Sequence, residues 1–209
     1  MKKFITCSLY FLALFAAANA QNDPAAKKIL DNVGTKFKAS KGISASCQLS
    51  SFTRKGKANG VQTISVEMKG AKYFIKQGKS EIICDGINVY RFDGEKTITK
   101  SSVEESSQTL SPQKLLSGSY DKDFSYKLIS SKGSFHEIEM KPLDNRKSFQ
   151  KVNLFIDKAK NTFSKARILD KSNNVTEFKM AKLNMSASVT DSKFVFNKSK
   201  YPKDVEILD

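Results

Sequence analysis

Two periods of apolar residues divide the chain. Ile29, Leu30, Val33 and Phe37 fall on one face of a helical repeat, with Asp23-Pro24 ahead of them as N-cap and first-turn proline. This predicts an amphipathic helix that ends near Lys41-Gly42 and needs an apolar surface to lie on. From Ile43 the period is two: Ile43, Ala45, Cys47 and Leu49 alternate with Ser44, Ser46, Gln48 and Ser50, as in a strand with one wet face. Ile64, Val66 and Met68 alternate in the same way, and Lys69-Gly70 and Gly78-Lys79 read as turns between short strands. Asp85-Gly86 and Asp93-Gly94 are strong hairpin turns, and between them Tyr90 and Phe92 share a face.

Residues 101–108 are polar and Ser-rich, which predicts a loop. Ser111 and Pro112 then supply an N-cap and a first helical residue, Leu115 and Leu116 an apolar patch, and Gly118 a stop, so a short helix interrupts the strands. Alternation resumes at Phe124, Tyr126 and Leu128, at Ile138 and Met140, at Val152, Leu154 and Ile156, at Ala166 and Ile168, and at Thr176, Phe178 and Met180. The sum is about ten short strands, and a meander of that length twists and curls. The expected fold is mainly β with some α: a curled antiparallel sheet forming an unclosed β-barrel, or half-barrel. The N-terminal helix and the short mid-chain helix, acting as a lid, cover it.

The first twenty residues change the compartment. Lys2 and Lys3 precede an apolar run over residues 4–18, too short to span a bilayer, which closes on Ala18-Asn19-Ala20. Residues 1–20 read as a cleaved signal peptide and residues 21–209 as one exported domain. Cys7 lies inside the apolar run and is no lipid-bearing first residue. The formal charge of +15 suits an anionic lipid or an acidic partner, but the lysines are spread without a dense run, and export argues against nucleic acid. Cys47 and Cys84 either pair in an oxidising compartment or stay as two buried thiols.

Candidate chemistry is sparse. His136 is the only histidine, and in an alternating strand it points away from Glu137, so the two form no catalytic pair. Two cysteines and one histidine match no zinc spacing, and no Gly-rich phosphate loop is present. An enzyme, a cofactor and a metal are therefore not expected; a secreted hydrolase needs an activated nucleophile that the sequence does not display. What remains is apolar: 15 Phe and 6 Tyr, with no Trp, run through the strands. A long curled sheet with two helices to cover it leaves room for an apolar hollow.

The order of these features resembles the outer-membrane lipoprotein carrier family, LolA-like. It rests on the first helix, the strand ISASCQLSSF, the hairpin EIICDGINVYRFD, the helix SPQKLL, the run VNLFIDKAKNTFSKARILDKSNN and the ending DSKFVFNKSKYPKDVEILD. The resemblance implies a periplasmic monomer that carries lipoprotein acyl chains in a hydrophobic cavity. Its partners would be lipidated proteins, an inner-membrane release machinery and an outer-membrane acceptor. The lining expected on this basis is Phe52, Ile64, Val66, Tyr73, Ile75, Tyr90, Phe92, Leu115, Leu116, Ile138, Leu154 and Ile156. Family members carry Arg-Pro where this chain has Lys69-Gly70, and that arginine latches the lid; Lys69 keeps the charge without the planar fork of donors. The alternative use of the same fold is an envelope sensor or adaptor that binds a partner protein or anionic lipid through its basic surface.

Overall fold

Asp23 caps the first element as its position predicts, its Oδ1 accepting from Ala25 N–H at 2.8 Å and Ala26 N–H at 3.3 Å. Helix α1 (Pro24–Lys38) follows. The computed structural model describes residues 22–108, 110, 114, 115 and 120–209. The expected signal peptide, Ser111-Pro112, Leu116 and Gly118 lie outside the described residues; of the expected lid helix, Lys114 and Leu115 are described, and both are helical.

The strands are β1 (Ile43–Phe52), β2 (Ala58–Lys69), β3 (Lys72–Gln77), β4 (Ser80–Cys84), β5 (Asn88–Phe92) and β6 (Thr97–Ser102), then β7 (Phe124–Ser130), β8 (Phe135–Pro142), β9 (Phe149–Asp157), β10 (Thr162–Asp170), β11 (Val175–Asn184) and β12 (Glu206–Leu208). They form a single 12-stranded sheet in the order β12-β6-β5-β4-β3-β2-β1-β11-β10-β9-β8-β7. Its two edge strands do not pair with each other, so the sheet is an unclosed half-barrel. Within the runs β1–β6 and β7–β11 consecutive strands pair antiparallel, β1 meets β11 to join the two runs, and β12 adds in parallel to β6.

Two of these strands are missing from the alternation pattern for physical reasons. In β6 the sole apolar residue is Ile98, and β12 is a three-residue edge with no buried position. The turns are the ones their residues demand. Asp85 Oδ1 accepts from Ile87 and Asn88 N–H at 2.8 and 2.7 Å, while Gly86 takes φ 101° between β4 and β5.

The sheet buries both faces, unequally. The inner face carries the main apolar cluster, to which α1 contributes Ala26, Leu30 and Val33. The helix crosses this face from the β7 edge, where Asp23 Oδ2 accepts from Leu128 N–H at 2.9 Å and Asn22 Oδ1 from Tyr126 N–H at 2.9 Å, to the β9–β10 turn, where Lys36 Nζ donates to the Lys160 carbonyl at 2.6 Å. Those bonds also occupy backbone donors on an otherwise open edge strand.

On the outer face the C-terminal segment lies as a strap. Its turns at Asp191–Phe194 and Lys198–Lys200 bring Phe194, Phe196 and Tyr201 onto β3 to β5. Phe196 stacks on Tyr90 at 4.3 Å between ring centroids, and Tyr201 lies 4.9 Å from Phe92. Ile83, Ile98, Phe194 and Val205 are buried here, outside the main cluster.

Candidate functional site

Strand alternation from Ile43 onward places one apolar row per strand on the inner face, and between β5 and β10 these rows enclose a cavity of about 260 Å³. Strand β1 supplies Ile43, Ala45, Cys47 and Leu49; β2 adds Ile64, Val66 and Met68; β3 adds Tyr73, Ile75 and Gln77. The lining is completed by Ile82 of β4, Arg91 of β5, Phe163 of β10 and Phe178 and Met180 of β11, with Leu110 and Leu115 from the segment between β6 and β7. The walls are aliphatic, aromatic and sulfur-bearing, and the polar members are Gln77 and Arg91. The volume lies near the lower end of the ~300–1,000 Å³ usual for ligand sites.

The thiol and phenol of the walls are held neutral. Burial pushes the Cys47 thiol up to about 11, and its Sγ lies 3.6 Å from Met180 Sδ. Burial likewise raises the Tyr73 hydroxyl to about 12, with nearby Cys84 adding to the effect. The Cys84 thiol is also raised, chiefly by burial. Cys47 and Cys84 are both free, so neither the reactive thiolate nor a cross-link belongs to the site. Among the described residues no group of three or more His, Cys, Asp or Glu side chains gathers to hold a metal. His136 bonds Ser131 Oγ through Nδ1 at 2.8 Å, away from this lining.

Leu115 closes one side of the cavity and is tied to the start of β7. Its carbonyl accepts from the Tyr120 hydroxyl, and the neighbouring Lys114 ammonium pairs with Asp123. Tyr120 is itself buried against Phe124, with ring centroids 6.3 Å apart.

Of the lining expected from sequence, Ile64, Val66, Tyr73, Ile75 and Leu115 surround this cavity. Leu116 lies outside the described residues. Ile138, Leu154 and Ile156 share the inner face but sit under α1, none more than 1% exposed, where they fill the core and leave no room for a ligand. Phe52 is placed at the far end of β1, opposite Ala58 and Val175 and partly exposed.

Tyr90 and Phe92 face the opposite way. The Asp85-Gly86 turn pairs Cys84 with Val89 and Ile82 with Arg91, so Val89 and Arg91 take the inner face and the two aromatics go out beneath the strap. Lys69, at the position of the family's latch arginine, is also on the outer face, its Nζ 2.6 Å from Asp191 in the strap, an exposed ion pair. Met68, Phe178 and Met180 were legible as inner-row residues but not as lining, and Phe163 reaches the inner face through the register shift between Phe163 and Lys165. Arg91 had no apolar signal to mark it at all.

An open curled sheet with an apolar cavity in its inner face, shielded thiols and a short covering segment has the architecture of a carrier for hydrophobic ligands. The family described as outer membrane lipoprotein carrier protein LolA matches residues 73–197, from β3 into the strap, and the chain belongs to that family. No curated protein matches it by sequence. Among solved structures, an uncharacterized conserved protein from Thermus thermophilus shares the fold, with TM-score 0.56 at 14% identity over 88% of this chain and 98% of that one. A LolA superfamily protein from Nitrosomonas europaea aligns with TM-score 0.47 and 13% identity over 82% and 97% of the two chains. The Mycobacterium tuberculosis lipoprotein LppX gives TM-score 0.43 and 16% identity over 81% and 100%.

Proposed function

We propose that the chain is a periplasmic carrier that takes the acyl chains of lipidated proteins into the inner-face cavity and hands them toward the outer membrane. In this reading residues 1–20 are removed on export and residues 21–209 act as one carrier domain. An inner-membrane release machinery loads it, and an outer-membrane acceptor empties it. The observation that carries the reading is the cavity itself: about 260 Å³ of space among apolar walls, in a chain of the LolA family. Among the described residues no helix is long and apolar enough to cross a membrane.

The physical need is large. Each exposed methylene costs about 0.8 kcal/mol, so an acyl chain of about fifteen carbons costs on the order of 12 kcal/mol to leave in water. A carrier has to hide most of that and still let go. The wall chemistry suits this, since methionine side chains such as Met68 and Met180 repack around guests of varied shape. Lid movement at Leu115 enlarges the cavity for cargo with more than one chain.

Mass spectrometry of the protein purified gently from envelope extracts tests the reading. Acylated polypeptides should copurify, and narrowing the cavity with Val66→Phe should remove them. Absence of any lipidated cargo contradicts the proposal. Capture of a protein partner that weakens steeply with salt and ignores Val66→Phe selects the adaptor reading instead.

A further inference from the structure

Among the described residues Arg91 is the one cation in the cavity wall, and it has no acid to pair with. Every Asp and Glu of the chain lies within the described residues, and none forms an ion pair with Arg91. Leu110 and Leu115 cover this side of the cavity, and the sequence around them, residues 106–120, contains no carboxylate. A partly buried guanidinium is costly without a counter-charge, and one that faces a largely apolar chamber offers a partner to an anion.

Two hydroxyls complete it. Arg91 Nη1 donates to Ser101 Oγ at 3.3 Å and to Ser106 Oγ at 3.2 Å, and these two oxygens lie 2.7 Å from each other. Register explains the grouping: Arg91 pairs with Thr99 and Val89 with Ser101 across β5 and β6, so Arg91 and Ser101 share the inner face, and the 3-10 turn at Glu105–Gln108 folds Ser106 back onto them. The bonds are long for charge-assisted contacts, and the guanidinium retains donors for an incoming oxygen.

We propose that Arg91, Ser101 and Ser106 form a head-group site for an anionic amphiphile, whose acyl chain runs along Ile82, Ile75 and Val66 into the cavity while its carboxylate or phosphate monoester meets the guanidinium. Beside the acyl chains of lipidated proteins, the site thus admits a second class of ligand, anionic single-chain lipids. This inference rests on the cavity being an acyl site.

The test measures displacement of a fluorescent apolar probe from the purified protein by dodecanoate, dodecyl phosphate and dodecanol, with acetate and inorganic phosphate as chainless controls. The two anionic amphiphiles should displace the probe roughly tenfold more tightly than dodecanol. Arg91→Gln should erase that preference, Arg91→Lys should keep part of it, and the Ser101→Ala, Ser106→Ala double variant should reduce it. The relative strength of dodecanoate and dodecyl phosphate then separates a carboxylate from a phosphate ligand, either of which supports the site.

Equal affinity for dodecanol and the anions overturns the head-group site and leaves the acyl cavity standing. An Arg91→Gln variant that loses dodecanol and dodecanoate alike overturns it too, because the arginine then only holds the 3-10 turn in place. Displacement by acetate or phosphate as strong as by the amphiphiles overturns it as an independent anion site, and failure of every chain, dodecanol included, overturns both the site and the cavity reading.

Discussion

The two halves of the inner face are built from the same kind of residue and do opposite things. Under α1, Ile138, Val152, Leu154 and Ile156 are sealed, and the gap beside Val33 and Phe163 measures about 10 Å³. Across β1 to β5 an equally apolar set surrounds about 260 Å³. The difference is coverage: a fifteen-residue helix stitched to β7 fills one half, while Leu110 and Leu115 lean over the other. Apolar alternation thus states which face is dry, and the covering element decides whether dryness becomes core or chamber.

The comparison breaks most visibly in the covered half. Leu154→Ala should cost about 2–5 kcal/mol in denaturant unfolding, because the site is closed on all sides and cannot collapse fully. The same measurement on Val66→Phe should change stability by less than about 1 kcal/mol, since the added ring enters existing space. Its binding of an acyl probe should weaken by roughly tenfold or more, equivalent to about 1.4 kcal/mol. A Leu154 variant that is benign, or a Val66 variant that unfolds, means the two halves are not distinct.

Acid sharpens the contrast next. The Leu128 backbone N–H, followed by the Ala26 and Ala25 N–H groups, holds the Asp23 carboxyl below its ordinary value of 3.8. A carboxylate with a depressed folded pKa stabilises fully above its unfolded value and loses that contribution as pH falls through the folded one. Hydrogen exchange at α1 and β7 should therefore quicken below about pH 4, ahead of exchange in β1 to β3. Asp23→Ala should remove this acid dependence and cost about 1 kcal/mol at neutral pH.

The smallest effect is expected at the lid. Tyr120→Phe deletes the hydroxyl that donates to the Leu115 carbonyl, a loss of about 0.5–1.5 kcal/mol. Because that bond restrains a residue closing the cavity, stopped-flow entry of an acyl probe should be several-fold faster in the variant. Unchanged entry would show that the restraint lies elsewhere.

The half-barrel, α1 and ten of the strands were legible because period and turn residues are local properties: Asp23-Pro24, Asp85-Gly86 and Asp93-Gly94 act on their own neighbours. Strands β6 and β12 were not, since each is placed by its partner strand and has little apolar pattern of its own. At the site, Ile64 and Val66 lie in an alternating row, while Tyr73 and Ile75 were named from the family resemblance. Tyr90 and Phe92 share a face as their spacing says, but which face depends on the strap, whose Phe196 and Tyr201 lie more than a hundred residues later. Ile138, Leu154 and Ile156 depended in the same way on where α1 comes to rest. Arg91 sits on an apolar face against its own polarity, a violation of pattern that only the assembled cavity makes meaningful.

In the proposed carrier, acyl chains occupy the uncovered half of the inner face and not the half under α1. Titrating a spin-labelled fatty acid into methyl-labelled protein tests it directly, because the label broadens nearby methyl resonances. The account predicts loss of the Leu49, Ile64, Val66 and Ile75 signals while those of Ile138, Leu154 and Ile156 persist. Broadening centred on the residues beneath α1, or on none of the inner-face methyls, would contradict it.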